Sequence, residues 1–574
     1  FKVEKINKIK SYLKKNNLDG YFISKNDEFF NEYIPENKDI LKQVTKFTGS
    51  YGFALILVEK NFLFVDGRYT LQAKKESGRN FNIVTIPKKM PHDIFKKRKL
   101  SIGFNPKLHT ENMLANFFKK THCKLISVNN NLVSRIKIDK KKNKLKKFFV
   151  LSDKFTGEKT KNKILRVSKI LKKDNIDLHF ITSSQNIAWL INLRGGDSEY
   201  SPIPNGYLVL NNKGKVILFC DLRKIDKKLK TKLKNISILD IQTLEKFFLK
   251  FKNKKILIDS ITCSVFFKNI INRNNFIVQK QDPIYLLKSQ KNKVEIKNMV
   301  QTHIEDGAAL TKFLFWLKSN FKKRKITEIG AQDKLLKFRK ENKQFYSLSF
   351  PTISGTGANG AIIHYRANKK SNKILKKGNL YLVDSGAQYK FGTTDVTRTI
   401  SLDNNKFKIK NIFTRVLKGH IAVAKYKIIN STNGDKIDIA ARKYLKDIGL
   451  DYPHGTGHGV GYFLNVHEGP QAISRGNKVK LREGMILSNE PGFYKKGEFG
   501  IRIENLIFIK KNKTFREFQD LTLVPIDKSL IEKNLLNKSE ITWLNNYHSI
   551  VFKKLRKYMN KSELINLKNS CSNI

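Results

Sequence analysis

Cysteine is scarce, with four in 574 residues, Cys123, Cys220, Cys263 and Cys571, and no two of them form a Cys-x-x-Cys pair. That spacing excludes a zinc knuckle and a disulfide framework, and it fits a reducing, cytoplasmic setting. Long hydrophobic runs are also missing. The longest stretches, Phe53 to Val58 (FALILV) and Ile187 to Ile191 (IAWLI), are strand-sized and far below the about 18 residues a bilayer requires. No membrane-spanning helix is expected. The opening residues interleave lysine with apolar positions, so they hold no uninterrupted apolar core of a secretory signal. With 12 Pro and 32 Gly there is no fibrous or low-complexity pattern. Acidic residues are the last shortage: 49 Asp and Glu against 113 Lys and Arg leave a net charge of +64.

An excess of that size attracts polyanions without specificity. A dedicated nucleic-acid protein concentrates its charge on one face, arm or tail, whereas here lysine clusters recur along the whole chain. The charge therefore reads as background composition, and no specific nucleic-acid partner is expected. Hydrophobic residues make up 40% and aromatics 11%, enough for packed interiors, and the length favours three or four domains over one.

A search for internal similarity returns one match. Residues 12–24 (YLKKNNLDGYFIS) align without gaps on 170–182 (ILKKDNIDLHFIT), and 52–68 resembles 206–223, each ending in Asp-x-Arg. Each copy reads as a basic amphipathic helix, a strand, a turn and a hairpin of two apolar strands. Two related α/β domains, 1–145 and 146–284, therefore precede a third unit at 285–574, which opens on a long helical pattern and closes on an extension from about 511 to 574. The lysine run at 139–147 reads either as the link between the first two domains or as a solvated helix face.

The third unit carries the chemistry. NLYLVDSGAQY at 379–389 is an alternating apolar strand interrupted by Asp384, and TTDVTRTISL at 393–402 reads as a second strand carrying Asp395. Asp is disfavoured in strands, and a buried carboxylate needs a partner. Taken alone, each Asp reads as a strand-end cap. HGTGHGVG at 454–461 sets His454 and His458 among glycines, which lets backbone approach closely; an ordinary turn and a metal or proton-shuttle site are both open. Glu490 falls at a strand end in MILSNEPGFY, and Glu504 falls within an apolar strand read over 499–509. Two Asp, one His and two Glu supply mainly hard oxygen donors, which suit Mn²⁺ or similar ions rather than a thiolate site, and four carboxylates neutralise two dications.

The order Asp384, Asp395, His458, Glu490, Glu504, within HGTGHG and SNEPG, resembles the pita-bread-fold metallopeptidases, a group that includes methionine aminopeptidases, prolidases and aminopeptidase P. HGTGHGVGYFLNVHEGP at 454–470 and AIIHYRA at 361–367 are similar to the aminopeptidase P branch. The paired N-terminal domains, LTLVPI at 521–526 and WLNNYH at 543–548 look like its long, three-domain cytosolic form. The resemblance implies an α/β (α+β) chain, with two creatinase/prolidase N-terminal-like domains before a pita-bread catalytic domain. It further implies hydrolysis of the bond between an N-terminal residue and a penultimate proline, by a hydroxide bridging two divalent metals.

The same resemblance makes Asp384, Asp395, His458, Glu490 and Glu504 the metal ligands, with Glu490 also the general base. His364, His454 and His467 become substrate-handling histidines, and Arg502 supports a ligand or the substrate. A homodimer and peptides with proline in second position are the implied partners. Two alternatives stay open: a dipeptide-restricted prolidase, and a non-enzymatic pita-bread binding module, which the +64 charge would suit.

Overall fold

The two segments with similar sequences fold alike. In a computed structural model, which describes residues 3–128, 145–403, 407–512 and 515–574, each forms a six-stranded sheet of identical strand order. In the first, Gly20–Ser24 lies between Phe53–Leu57 and Ser101–Phe104; in the second, Leu178–Ile181 lies between Gly206–Asn211 and Lys255–Ile258. Both central strands pair antiparallel on one side and parallel on the other. The helix Val3–Lys15 buries Ile6, Ile9 and Leu13, three and four residues apart, and leaves its lysines outward. Thr160–Lys173 buries Val167 and Leu171 in the same way. Ile187–Ile191 is not a strand: it falls at the end of the helix Ser184–Leu190, because a short apolar run has no period that separates a buried strand from a buried helix. Of the lysine run at 139–147, residues 139–144 lie outside the described residues.

The chain divides into two compact units, Phe1–Ser152 with Glu158–Ile284, and Asp153–Gly157 with Tyr285–Ile574. The second contains the long helix Lys293–Asn320, started by a capping box in which Asn292 Oδ1 accepts from the Glu295 backbone and Glu295 Oε2 from that of Asn292. This helix crosses the core, and its buried Asp306 accepts two bonds from Arg339 of the helix Glu328–Lys340, at 2.8 and 3.1 Å. Arg339 also donates to the Ser385 carbonyl at 3.3 Å, fixing the helix pair to the strand Leu380–Ser385.

That strand is the centre of an antiparallel sheet with Ile353–Thr356 and Val396–Ser401. A second sheet runs Glu468–Ile473, Gly457–Gly459, Ile486–Asn489, Asn505–Lys511, Arg516–Asp520. The helix Phe407–Ala424 packs Phe413, Val416, Leu417 and Ile421 against Leu544, Tyr547, Val551 and Leu555 of the helix Lys538–Leu555. Two strand assignments need correcting. Asp395 stands one residue before Val396–Ser401, and Glu504 occupies the two-residue break between Phe499–Arg502 and Asn505–Lys511. Each carboxylate thus stands just outside the regular ladder, in keeping with the poor fit of acidic side chains to strand positions.

Candidate metal centre

Glycines set the distance between backbones at this centre. A Cβ on Gly457 would lie 1.9 Å from the Ser488 carbonyl oxygen, and one on Gly459 would lie 2.2 Å from that of Glu468. The short strand Gly457–Gly459 therefore fits between its neighbours only because glycine flanks His458 on both sides. His458 Nδ1 donates to the Gly459 carbonyl at 2.9 Å, which turns Nε2 toward Asp395 Oδ2 at 3.4 Å and Glu490 Oε1 at 3.6 Å. Donor atoms of Asp395, His458 and Glu504 lie within 4.8 Å of one another. Glu490 follows directly on the strand Ile486–Asn489, and its Oε1 accepts from Ser488 Oγ at 3.0 Å.

Asp384 completes the acidic group from the neighbouring sheet. Arg502 Nη2 donates to its Oδ2 at 2.6 Å, while its Oδ1 is buried with no hydrogen-bond partner among the described residues. Arg502 is 2% exposed, and its remaining donors reach Thr397 Oγ1 at 3.1 Å and Tyr494 Oη at 2.6 Å. The Thr397 hydroxyl in turn donates to Glu504 Oε2 at 2.6 Å. Tyr494 Oη bonds His454 Nε2 at 2.8 Å, and since His454 Nδ1 faces the Gly455 carbonyl, the tyrosine is the donor. His467 is exposed, and its ring meets that of His458 edge-on at 4.4 Å. His364 sits half-buried in the loop that follows Gly357–Ala361.

Electrostatically the group is acidic, with four carboxylates around one guanidinium and one imidazole. Burial pushes the Asp384 carboxyl up to about 7; Arg502 opposes that, and Asp395 and Glu490 add to it. Burial raises Glu490, and burial with repulsion from Asp395, Glu490 and Asp384 drives Glu504 well above the carboxylate range. Burial alone would lower His458, but Asp395 and Glu490 outweigh it and lift the imidazole to about 9. Mutual repulsion of this kind, together with the orphaned Asp384 Oδ1, fits a place that binds positive charge. An oxygen-rich set with one imidazole suits hard or borderline divalent ions.

The structure thus gathers Asp384, Asp395, His458, Glu490, Glu504 and Arg502, links His454 through Tyr494, and packs His467 on His458. Thr397, Ser488 and Tyr494 were not singled out from the sequence. Each had a signal: Thr397 shares the Asp395 side of an alternating strand, Ser488 precedes Glu490 by two, and Tyr494 ends the string MILSNEPGFY.

Comparison with known proteins agrees along nearly the whole length. The model of Metallopeptidase family M24 matches residues 297–511, that of the C-terminal region of peptidase M24 matches 514–574, and two models of the Creatinase/Prolidase N-terminal domain match 5–135 and 139–295. Xaa-Pro aminopeptidase 1 of Dictyostelium discoideum is 37% identical, covering 97% of this chain and 94% of that protein. Aminopeptidase P2 of Arabidopsis thaliana is 35% identical over 94% of this chain and 83% of its own. The crystal structure of X-prolyl aminopeptidase from Caenorhabditis elegans, described as a cytosolic enzyme with a di-nuclear active site, superposes with a TM-score of 0.94 at 30% identity over 100% of both chains. With paired creatinase-like domains ahead of a pita-bread domain, and this cluster at its centre, the chain belongs to metallopeptidase family M24, among the Xaa-Pro aminopeptidases.

Proposed function

We propose that this protein is a metal-dependent Xaa-Pro aminopeptidase that removes an N-terminal residue preceding proline. The observation that carries the reading is the convergence of Asp395, His458 and Glu504 donors within 4.8 Å, in a chain that aligns end to end with Xaa-Pro aminopeptidases. Asp384, Asp395, His458, Glu490 and Glu504 would hold two divalent ions, and the hard donor set favours Mn²⁺. When bound, such a pair makes water a nucleophile near neutral pH and polarises a carbonyl.

The chain's own groups supply the rest. Glu490 Oε1 is occupied by Ser488, which leaves Oε2 to take the proton of the attacking water. Asp384, steadied by Arg502, accepts from the substrate's α-ammonium, and that requirement makes the enzyme an exopeptidase. An Xaa-Pro bond has no N–H and its ring fixes the backbone, which calls for a fitted pocket; the departing prolyl nitrogen, like any amide leaving group, must be given a proton. His364 and His467 are the groups assigned to donate to the developing oxyanion or to that nitrogen, while His454, whose Nε2 accepts from Tyr494, handles the substrate through that hydroxyl.

A cytosolic location and a homodimer belong to the same proposal. The first is supported by the Caenorhabditis elegans enzyme, described as cytosolic, while no described helix is long and apolar enough to cross a membrane. The second rests on the family resemblance. The test is manganese by elemental analysis on freshly purified protein, with release of arginine from Arg-Pro-Pro. Metal-free protein that leaves the tripeptide intact would favour a binding module, and cleavage of Arg-Pro without Arg-Pro-Pro would favour a prolidase.

A further inference from the structure

Glu328 opens the helix Glu328–Lys340 and is fully buried, yet its carboxylate meets neutral donors. The Thr356 N–H reaches Oε1 at 2.8 Å, the Lys373 N–H reaches Oε2 at 2.9 Å, the Tyr365 hydroxyl donates to Oε2 at 2.8 Å, and Asn359 Nδ2 lies 3.0 Å from both oxygens. A buried carboxylate is tolerated without a cation when several donors and a helix N-terminus face it. The arrangement in sequence is what matters. Thr356 and Lys373 close a loop, 356–373, within the connection from Ile353–Thr356 to Leu380–Ser385; Asn359 lies near its start, and Tyr365 adjoins His364. The backbone repeats the closure, since Glu328 N donates to the Lys373 carbonyl at 2.9 Å and Ser354 Oγ to the Glu328 carbonyl at 2.7 Å. On its other side the loop is seated against the strand that ends in Arg502, where a Cβ on Gly500 would lie 1.8 Å from the Gly360 carbonyl oxygen.

We infer that Glu328 is the positioning residue for His364: one carboxylate holds both ends of the loop and the Tyr365 hydroxyl, and so fixes the imidazole beside it. The inference rests on the reading of His364 as a substrate-handling histidine. Glutamine has the volume of glutamate but would turn an amide N–H toward groups that are themselves donors, so shape alone cannot replace the charge.

The experiment is a double-mutant cycle on the metal-loaded full chain, with Arg-Pro-Pro as substrate and manganese content measured for each variant. E328Q is expected to lower kcat about tenfold or more with KM within about twofold, and Y365F to lower kcat about threefold. Neither is expected to lower kcat further in an H364A background, although the loss of thermal stability persists there. Losses that multiply with H364A, or an E328Q enzyme with wild-type turnover, would overturn the inference and leave a stabilising role alone. Wild-type turnover in H364A would instead remove the substrate-handling role from that histidine, and the inference with it. If E328Q does not fold, Y365F carries the same cycle.

Discussion

Arg502 donates from Nη2 to Asp384 Oδ2 at 2.6 Å, joining the end of the hairpin strand Phe499–Arg502 to the middle of a different sheet. Among the described residues this is the ion pair that Asp384 makes. The guanidinium is planar and forked, so it also holds Tyr494 and Thr397, and through them His454 and Glu504. One cation thereby orients groups on both sides of the centre.

Replacing Arg502 by Met should therefore act differently with and without metal. In chelated protein Asp384 loses its cation, and breaking a buried pair costs about 3 kcal/mol. Urea unfolding is expected to show that loss in the chelated variant, and a smaller one when manganese is restored. Equal losses in both forms would mean that Asp384 does not face the metals.

Asp395→Ala and His467→Ala should separate ligand from substrate-handling group. Asp395 lies within reach of both His458 and Glu504, so its removal is expected to abolish metal content and activity together. His467 is exposed against the His458 ring; its removal is expected to lower kcat about 100-fold with metal content near wild type. Full activity in the Asp395 variant after chelation and dialysis would remove it from the ligand set.

Gly457→Ala tests the close approach beside His458. The added methyl would lie 1.9 Å from the Ser488 carbonyl oxygen, and a clash that moves backbone costs about 3 kcal/mol. A lowered melting temperature is expected, and manganese affinity should fall with it, since His458 moves with the strand. Unchanged affinity by titration would show that the strand tolerates displacement.

Acid should weaken the N-terminal unit through His109. This histidine is buried, its Nδ1 donates to the Asn105 carbonyl at 2.8 Å, and burial pulls its pKa from 6.5 down to about 4. As pH falls, the unfolded chain takes up the proton before the folded one does. The stabilisation is therefore complete above pH 6.5 and is lost progressively toward pH 4, with a full span on the order of 3 kcal/mol. His109→Asn keeps the bond to Asn105 but cannot titrate. Its urea midpoint should vary less than wild type across that window, and a parallel pH dependence in both proteins would contradict the assignment.

Much of this was legible in the chain. Residues 12–24 and 170–182 already displayed the duplicated helix and strand, because amphipathic spacing and apolar alternation are local properties that survive sequence divergence. The acidic residues stood out because charge inside apolar strands is costly and needs a reason, and His458 because it lies among glycines that let backbone approach closely. What lay beyond the sequence was partnership across distance. Arg502 could be singled out, but its bond to a residue 118 positions away could not, nor could the step of Asp395 and Glu504 out of their strands.

Residue types and their spacing thus determined which side chains must be explained and that the front of the chain is doubled. Tertiary structure alone decided which carboxylate receives a guanidinium, which imidazole nitrogen is left to face the acids, and why glycine must flank His458. Those outcomes depend on the packing distance between strands remote in sequence, and no local pattern encodes that distance.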